Sequence, residues 1–325
     1  MKTLLLIKKL VGLFLAVLSF NFLLFVSSPW GLDYPSKPIN FVVPWGPGGP
    51  SDVQARMLAE AGKKELGVPI VVVNKPGPAG ALGTSLVAKE KPDGYTFLVC
   101  PTGTLTAVPW LIPDLPFKMT DFTPVFTYAT VQNYVAVRTD APWKTFQDFL
   151  DAAKKNPGKF RSGCAGPTIN LIWEVFVRQE GLEIKHLMYK SGAESILAVL
   201  GGHTDVDIDM LPPLVPHLEA GKIRLLVGLG AKRNNKYPDV PTLYELGYKM
   251  FSKDRVTMSV FAPAGLPKPI LEKFVGAFKK VLSQQSVKNE FEKTDIIITF
   301  KGPEELSKDM DEDYKFWGEL SKQKK

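Results

Sequence analysis

Runs of alternating or continuous apolar residues give way repeatedly to stretches in which apolar residues recur every three or four positions. The first kind reads as strand and the second as amphipathic helix. Ile39 to Val43 is predicted as a strand and Ser51 to Leu66 as a helix, with Val53, Met57, Ala61 and Leu66 on its apolar face. Val68 to Val73 is a β-branched run, and a helix is predicted from Ala81 to about Lys89. Tyr95 to Val99 follows the turn signal Pro92-Asp93-Gly94. Strand, helix, strand at this spacing predicts right-handed βαβ units and a parallel sheet.

Trp110 to Pro124 shows no period and reads as a proline-punctuated loop. A second series begins at the strand Tyr134 to Arg138, followed by a helix over Thr145 to Lys155. Phe160-Arg161-Ser162 then leads through Gly163-Cys164-Ala165-Gly166-Pro167-Thr168 into a helix from Ile169 to Gln179. Further strands are predicted at Ile184 to Tyr189, Val206 to Ile208 and Ile223 to Gly228, with helices at Ala193 to Leu200 and Leu214 to Ala220. Val256 to Phe261 is β-like, and Pro267 to Leu282 and Pro303 to Leu320 read as helices. Two βα series of this length predict two α/β lobes, each a mostly parallel sheet flanked by helices. Ligands bind such sheets at the carboxyl ends of the strands, so the glycine-rich loops after the strands should gather at a cleft between the lobes.

The segment before Pro29 stands apart from both periods. Lys2, Lys8 and Lys9 precede a run from Leu10 to Val26 interrupted only by small residues and Asn21. A basic start, an apolar middle and a small polar exit describe an export signal over residues 1–30. An uncleaved anchor is the other reading, although the run is short for a span of about 20 residues. The chain's net charge is +7, and removing the three signal lysines leaves +4, too mild an excess to imply nucleic acid. Cys100 and Cys164 are the two cysteines, so an exported chain is not disulfide-stapled; they either pair or remain as buried thiols. His186, His203 and His217 show no ligand spacing, and neither a metal site nor a cofactor is expected.

Candidate chemistry begins at Trp45-Gly46-Pro47-Gly48-Gly49-Pro50-Ser51-Asp52. A strand ending in such a loop and opening a helix presents bare amides, which favour an anion. A dinucleotide reading of Gly46-x-Gly48-x-x-Ser51 fails because Pro47 and Pro50 lack amides and the second strand ends in Asn74 rather than an acid. Asn74 to Gly80 offers a similar loop on the neighbouring strand, and Ser162 to Thr168 a third on the second lobe. Cys164 or Ser162 as a nucleophile requires a base, and His186 lies 22 residues on. Asp205, Asp207 and Asp209 point one way on a strand, either toward the cleft or as a solvated edge. Lys190 lies between a strand and a helix start, and Trp45 is read as an apolar wall.

These residues also carry a family resemblance. Tyr34-Pro35-x-Lys37-Pro38-Ile39, Val43 to Asp52 with Ala55-Arg56, Val73 to Gly77, Lys91 to Thr96, Tyr189-Lys190 and Asp239 to Thr242 with Glu245 and Gly247 stand in the order and spacing of one family. From about Tyr34 onward the chain resembles the receptors of the tripartite tricarboxylate transporters, the Bug or TctC type. The resemblance implies an α/β two-lobed periplasmic-binding-protein clamshell, with lobe 1 over 33–133 and 257–325 and lobe 2 over 134–256. It also implies hinging near Tyr134 to Arg138 and Val256 to Phe261. Such a monomeric receptor captures a small organic acid in the periplasm and passes it to membrane permease subunits, with no nucleic acid and no catalysis. A secreted α/β enzyme and a sensory receptor are the alternatives. Carried over by position, Trp45, Gly46, Gly48, Gly49, Ser51, Asp52, Gly77 and Gly80 would hold a ligand carboxylate. Ser162, Ala165, Gly166, Thr168, Lys190 and Asp209 would close over its other end. Departures are Gly77-Pro78-Ala79-Gly80 where relatives have Gly-Ala-Gly-Gly, and Cys164 and Asn170 where they often have glycine and histidine.

Overall fold

The computed structural model describes residues 34–323, so the predicted export signal lies outside the described residues. Two sheets organise the chain. The first has the order β11-β4-β10-β3-β1-β2, built from β1 (Ile39–Val43), β2 (Ile70–Asn74), β3 (Thr96–Pro101), β4 (Phe122–Thr130), β10 (Thr257–Pro263) and β11 (Ile297–Lys301). The second has the order β7-β6-β8-β5-β9, from β5 (Asn133–Arg138), β6 (Arg161–Ala165), β7 (Lys185–Tyr189), β8 (Val206–Met210) and β9 (Ile223–Gly228). The two α/β lobes are therefore present, but their sheets are mixed rather than mostly parallel. β1, β2 and β3 run parallel, as do β6, β7 and β8. β10 runs antiparallel to both β3 and β4, and β5 to both β8 and β9. The cause is chain routing: β4 passes straight into β5 of the other sheet, and β9 leads back to β10.

Strand alternation divides each lobe into two apolar layers. In the first lobe Phe41 and Phe97 face one side while Val42, Leu98 and Cys100 face the other. Helices α1 (Pro50–Leu66), α9 (Lys268–Ser283) and α10 (Gln285–Glu292) cover the first side. Phe274 stacks on Phe97 with ring centroids 4.0 Å apart, and Phe278 on Phe126 at 5.1 Å. The buried face of α1 is Ala55, Leu58, Ala59 and Gly62, which corrects the predicted face: Val53 is exposed, and Met57, Ala61 and Leu66 only flank the core. Gly62 explains the rotation, because a Cβ there would lie 2.5 Å from the Phe278 ring.

In the second lobe Val135, Val137, Val206, Ile208 and Cys164 pack beneath α5 (Phe146–Lys155) and α6 (Pro167–Gln179). Thr145 opens α5 with a reciprocal cap: its hydroxyl accepts the Asp148 N–H at 3.1 Å, and its own N–H donates to the Asp148 carboxylate at 2.9 Å. Tyr134 and Ala136 face the opposite side, under α7 (Gly192–Leu200) and α8 (Leu211–Glu219).

The final helix, α11 (Pro303–Gln323), belongs to both halves of the molecule. Leu306 and Met310 sit in the first lobe's outer layer, whereas Trp317 and Leu320, further along the same stripe, are buried in the second lobe's core. Asp313 lies on that stripe between them and pairs with Arg255, just before β10. Lys253 donates to Asp309 at 2.7 Å and to Glu312 at 3.0 Å, so the returning crossover is tied to α11. Two short helices after β3, α3 (Gly103–Thr106) and α4 (Val108–Leu111), also bring Ala107 and Leu111 into the second core. None of the described helices is long and apolar enough to cross a membrane.

Candidate functional site

In the first lobe the loops after β1 and β2 are built against each other. Gly49 caps α1 in extended conformation and Pro50 takes the first helical position, so no side chain caps the helix. Asp52 turns back instead. Its carboxylate accepts the Gly48 N–H at 2.8 Å and the Arg56 Nε–H at 3.0 Å, and an Arg56 Nη2 lies 2.9 Å from its other oxygen. Arg56 also donates to the Asn74 side-chain Oδ1 at 3.2 Å, and Asn74 Nδ2 donates to the Trp45 backbone carbonyl at 3.1 Å. Burial opposes ionisation of Asp52, but the Arg56 and Gly48 hydrogen bonds outweigh it and hold the carboxyl below the usual range. Asp52 and the Gly48 amide are thus engaged with each other, shaping the loop. Gly46 and Gly48 are exposed, Trp45 and Gly49 half-buried, and Ser51 buried in the first turn.

Asn74 leads into Gly77 and a 3₁₀ turn over Pro78–Gly80, then α2 (Ala81–Ala88). The Gly80 N–H closes that turn on the Gly77 carbonyl at 3.0 Å. Gly80 has φ +77°, and a Cβ there would lie 3.3 Å from Pro44 and 3.4 Å from the Trp45 ring. Gly83 makes the closest approach: a Cβ would fall 2.7 Å from the Lys75 carbonyl and 2.8 Å from the Pro44 Cα. The predicted residues Trp45, Gly46, Gly48, Gly49, Ser51, Asp52, Gly77 and Gly80 therefore come together as one double loop. Gly83 also belongs to it, and its signal was a glycine in the first turn of a predicted helix.

The second lobe presents the loop after β6. Gly166, with φ +105°, caps α6, Pro167 takes the first helical position, and Thr168 follows. A Cβ on Gly103 would lie 2.9 Å from the Thr168 hydroxyl, so the exit of β3 meets the N-terminus of α6. Met210, at the end of β8, packs against the cores of both lobes. Ala165, Gly166 and Thr168 are half-buried at this seam, and Lys190 is exposed. Thr102, absent from the sequence reading, anchors the β3 exit. Its hydroxyl lies 2.7 Å from that of Thr257 and 2.8 Å from that of Ser259. Its signal was Thr102-Gly103-Thr104 directly after a strand.

Ser162 and Asp209 are placed differently: both are wholly buried. The Ser162 hydroxyl accepts the Trp173 indole N–H at 2.9 Å and lies 2.8 Å from His186 Nδ1. His186 Nε2 is 3.3 Å from the Cys164 sulfur. The histidine that a nucleophile would need is therefore adjacent to both Ser162 and Cys164. Its chemistry points elsewhere. Burial, then the charges of Asp209, Asp207 and Glu174, push the Cys164 thiol up, the opposite of what a reactive thiolate requires. Cys100 is also a buried free thiol, pushed up to about 12 by burial. Asp207 and Asp209 are buried in a central strand, which excludes the solvated-edge reading, while Asp205 accepts the Arg161 N–H at 2.7 Å. Burial raises both carboxyls of the pair, and the charge of Asp207 adds to the rise of Asp209.

Two α/β lobes, with a first-lobe strand exit meeting the N-terminus of a second-lobe helix, define a two-lobed solute receptor of the periplasmic-binding type. The chain belongs to the tripartite tricarboxylate transporter family of receptors, whose family model matches residues 54–325. It is 33% identical over 272 residues to a Cupriavidus necator protein from the gbd 5′ region, covering 81% of this chain and 80% of that one. It is 31% identical over 286 residues to BugT of Bordetella pertussis, covering 86% of each. Among solved structures, a Rhodopseudomonas palustris protein with adipate superposes with TM-score 0.82 at 28% identity, covering 90% of this chain and 98% of that one. MatC of the same species with bound malate gives TM-score 0.78 at 26% identity, covering 89% and 100%.

Proposed function

We propose that this chain is a periplasmic receptor that captures a small organic carboxylate between its lobes and delivers it to the permease subunits of a tripartite tricarboxylate transporter. The meeting of the β3 exit with the α6 N-terminus, beside the double loop on the same sheet, carries this reading. Exposed and half-buried glycines leave room for a carboxylate to approach the backbone, and first-turn amides supply donors without a full counter-charge. Relatives solved with adipate and malate support the ligand class. In this reading residues 33–133 and 257–325 form one lobe, 134–256 form the other, and closure pivots on the β4–β5 and β9–β10 crossovers. In the same reading the receptor acts as a monomer and turns nothing over; burial pushes the Cys164 thiol up, which disfavours it as a nucleophile.

Thermal unfolding with a panel of mono-, di- and tricarboxylates tests the reading. A bound acid at a hundredfold its dissociation constant should add about 2.7 kcal/mol of stability. Stabilisation by sugars or cations with none by any acid would sink it. Turnover of a carboxylate ester that disappears in Cys164→Ala would favour an enzyme instead.

A further inference from the structure

The crossover that returns from β9 to β10 is gripped from two sides. Asp254 accepts the Ala231 N–H at 3.0 Å, just past the end of β9. The Val256 carbonyl accepts the N–H of Val131, on the outgoing crossover, at 2.8 Å. The residues flanking Asp254 turn to α11 instead. Lys253 donates to Asp309 and Glu312 and lies 4.0 Å from Asp313. Arg255 pairs with Asp313, and its guanidinium stands 3.8 Å from the centroid of the Phe316 ring. Lys301, at the end of β11, donates to the remaining Asp309 oxygen at 2.5 Å.

This charged stretch lies between two apolar anchorages of one helix: Leu306 and Met310 in the first lobe, Trp317 and Leu320 in the second. A stiff helix packed into both lobes cannot follow both when they rotate. Interlocked apolar side chains resist sliding, because a close-packed core has no spare volume. The charged stretch between them can yield, since Lys253 has three α11 carboxylates within 4.0 Å to choose from. Arg255 and Asp313 keep little side-chain exposure, 17% and 4%, so water and salt screen their attraction weakly. That attraction favours the arrangement in which they meet, and there the β3 exit at Gly103 lies against Thr168 of α6.

We propose that Lys253 and Arg255, held by Asp309, Glu312 and Asp313, form a latch between the returning crossover and α11 that sets the resting separation of the lobes. The latch keeps the ligand-free protein near the arrangement that a ligand completes. Losing it lowers the fraction of molecules competent to bind and weakens every ligand by one common factor. The effect on affinity rests on the carboxylate-receptor reading, whereas the effect on lobe separation does not.

The test is pulsed electron resonance of the ligand-free protein with spin labels at Lys89→Cys on α2 and Ala193→Cys on α7, both exposed positions. The native Cys100 and Cys164 thiols are buried. In the paired variant Arg255→Met, Asp313→Leu, which leaves neither charge buried alone, the interlabel distances should lengthen and broaden. Lys253→Gln, which keeps the Arg255–Asp313 pair, should shift them less and in the same direction. Calorimetric titration of the unlabelled variants with acetate, succinate and citrate should show each acid that binds wild type weakened by the same factor, about threefold or more. An ion pair that only stabilised the fold would lower the urea midpoint and leave the distances unchanged, which would overturn the latch. A loss of affinity confined to one acid would also overturn it, since a resting separation acts on all ligands alike. If the paired variant does not fold, Lys253→Gln decides by the same criteria. If no acid binds wild type, the receptor reading falls and the label distances still judge the latch.

Discussion

The two halves of the candidate site are made of different material. The first lobe's half is backbone: Gly46, Gly48, Gly49, Gly77, Gly80 and Gly83 bring two loops together, and its one buried acid, Asp52, is neutralised by Arg56 and the Gly48 N–H. The second lobe's half rests on side chains: buried Trp173, Ser162 and Cys164 with half-buried His186 on one face of the sheet, and buried Ser195, Asp207 and Asp209 on the other. A backbone cradle recognises a charge whatever carries it. A wall set by buried side chains changes with each substitution, so ligand identity should be decided there.

Removing the largest of those side chains should break the second half alone. Trp173 is fully buried, stacks on Phe176 with centroids 5.4 Å apart and donates to Ser162. Trp173→Ala should cost about 3–5 kcal/mol in urea unfolding. The matching break in the first half is Gly83→Ala, where the added methyl meets the Lys75 carbonyl and Pro44 backbone rather than a movable side chain. Its cost should be about 1–3 kcal/mol. It should also weaken every carboxylate by a similar factor, because it parts the loops that hold the charge. A Gly83→Ala protein that changed the order of preferred acids instead would place specificity in the first lobe.

Acid and base should pull the halves in opposite directions. Arg56 and Gly48 lower the Asp52 carboxyl, so its contribution is present above the ordinary carboxylate pKa and is lost as pH falls through its lowered folded value. Burial raises Asp207 and Asp209, so the unfolded chain ionises first. Stability is then lost as pH rises from about 4 toward the pair's folded values, with a slope of at most roughly 1.4 kcal/mol per pH unit for each proton. Urea unfolding of wild type and Asp207→Asn from acid to neutral pH should show the variant gaining on wild type across that window, then running level. Parallel curves throughout would mean that the pair ionises as freely folded as unfolded.

Much of the first half was legible because glycine and proline punctuate sequence directly. β1, the loop to Asp52, α1 and the loop through Gly80 follow from strand and helix periods broken at those residues. β4 was not legible. The loop read over Trp110 to Pro124 took in its first residues and Val125 to Thr130 carried no assignment, yet the strand accommodates Pro124 beside a register shift against β10, where Phe261 faces Pro124 and Val260 faces Phe126. β11 has no alternation to betray it, and Asn133 to Arg138 gave no hint that its neighbours would run antiparallel. The contact of His186 with Ser162 and Cys164 arises from the pairing of β6 with β7, in which Ser162 and His186 are opposite. Cross-strand partners are fixed by register, which local pattern does not encode.

The smallest expected effect bears on Lys190, the lysine that the family resemblance places among the residues closing over the ligand. Lys190 is exposed, and its N–H donates to Glu194 in the first turn of α7 at 3.1 Å, a bond that substitution of the side chain leaves in place. Lys190→Ala should therefore change unfolding free energy by no more than about 0.5 kcal/mol. Its effect on binding discriminates between the halves. If the first lobe holds the ligand's charge through amides, the affinity for a plain monocarboxylate should stay within about twofold, since an exposed lysine is screened by water and salt. A dicarboxylate that lost more affinity than a monocarboxylate in Lys190→Ala would show this lysine reaching over the cleft to a second charge. The second half would then be cationic at its rim and acidic only behind it, and the contrast between the lobes would have to be redrawn around Lys190.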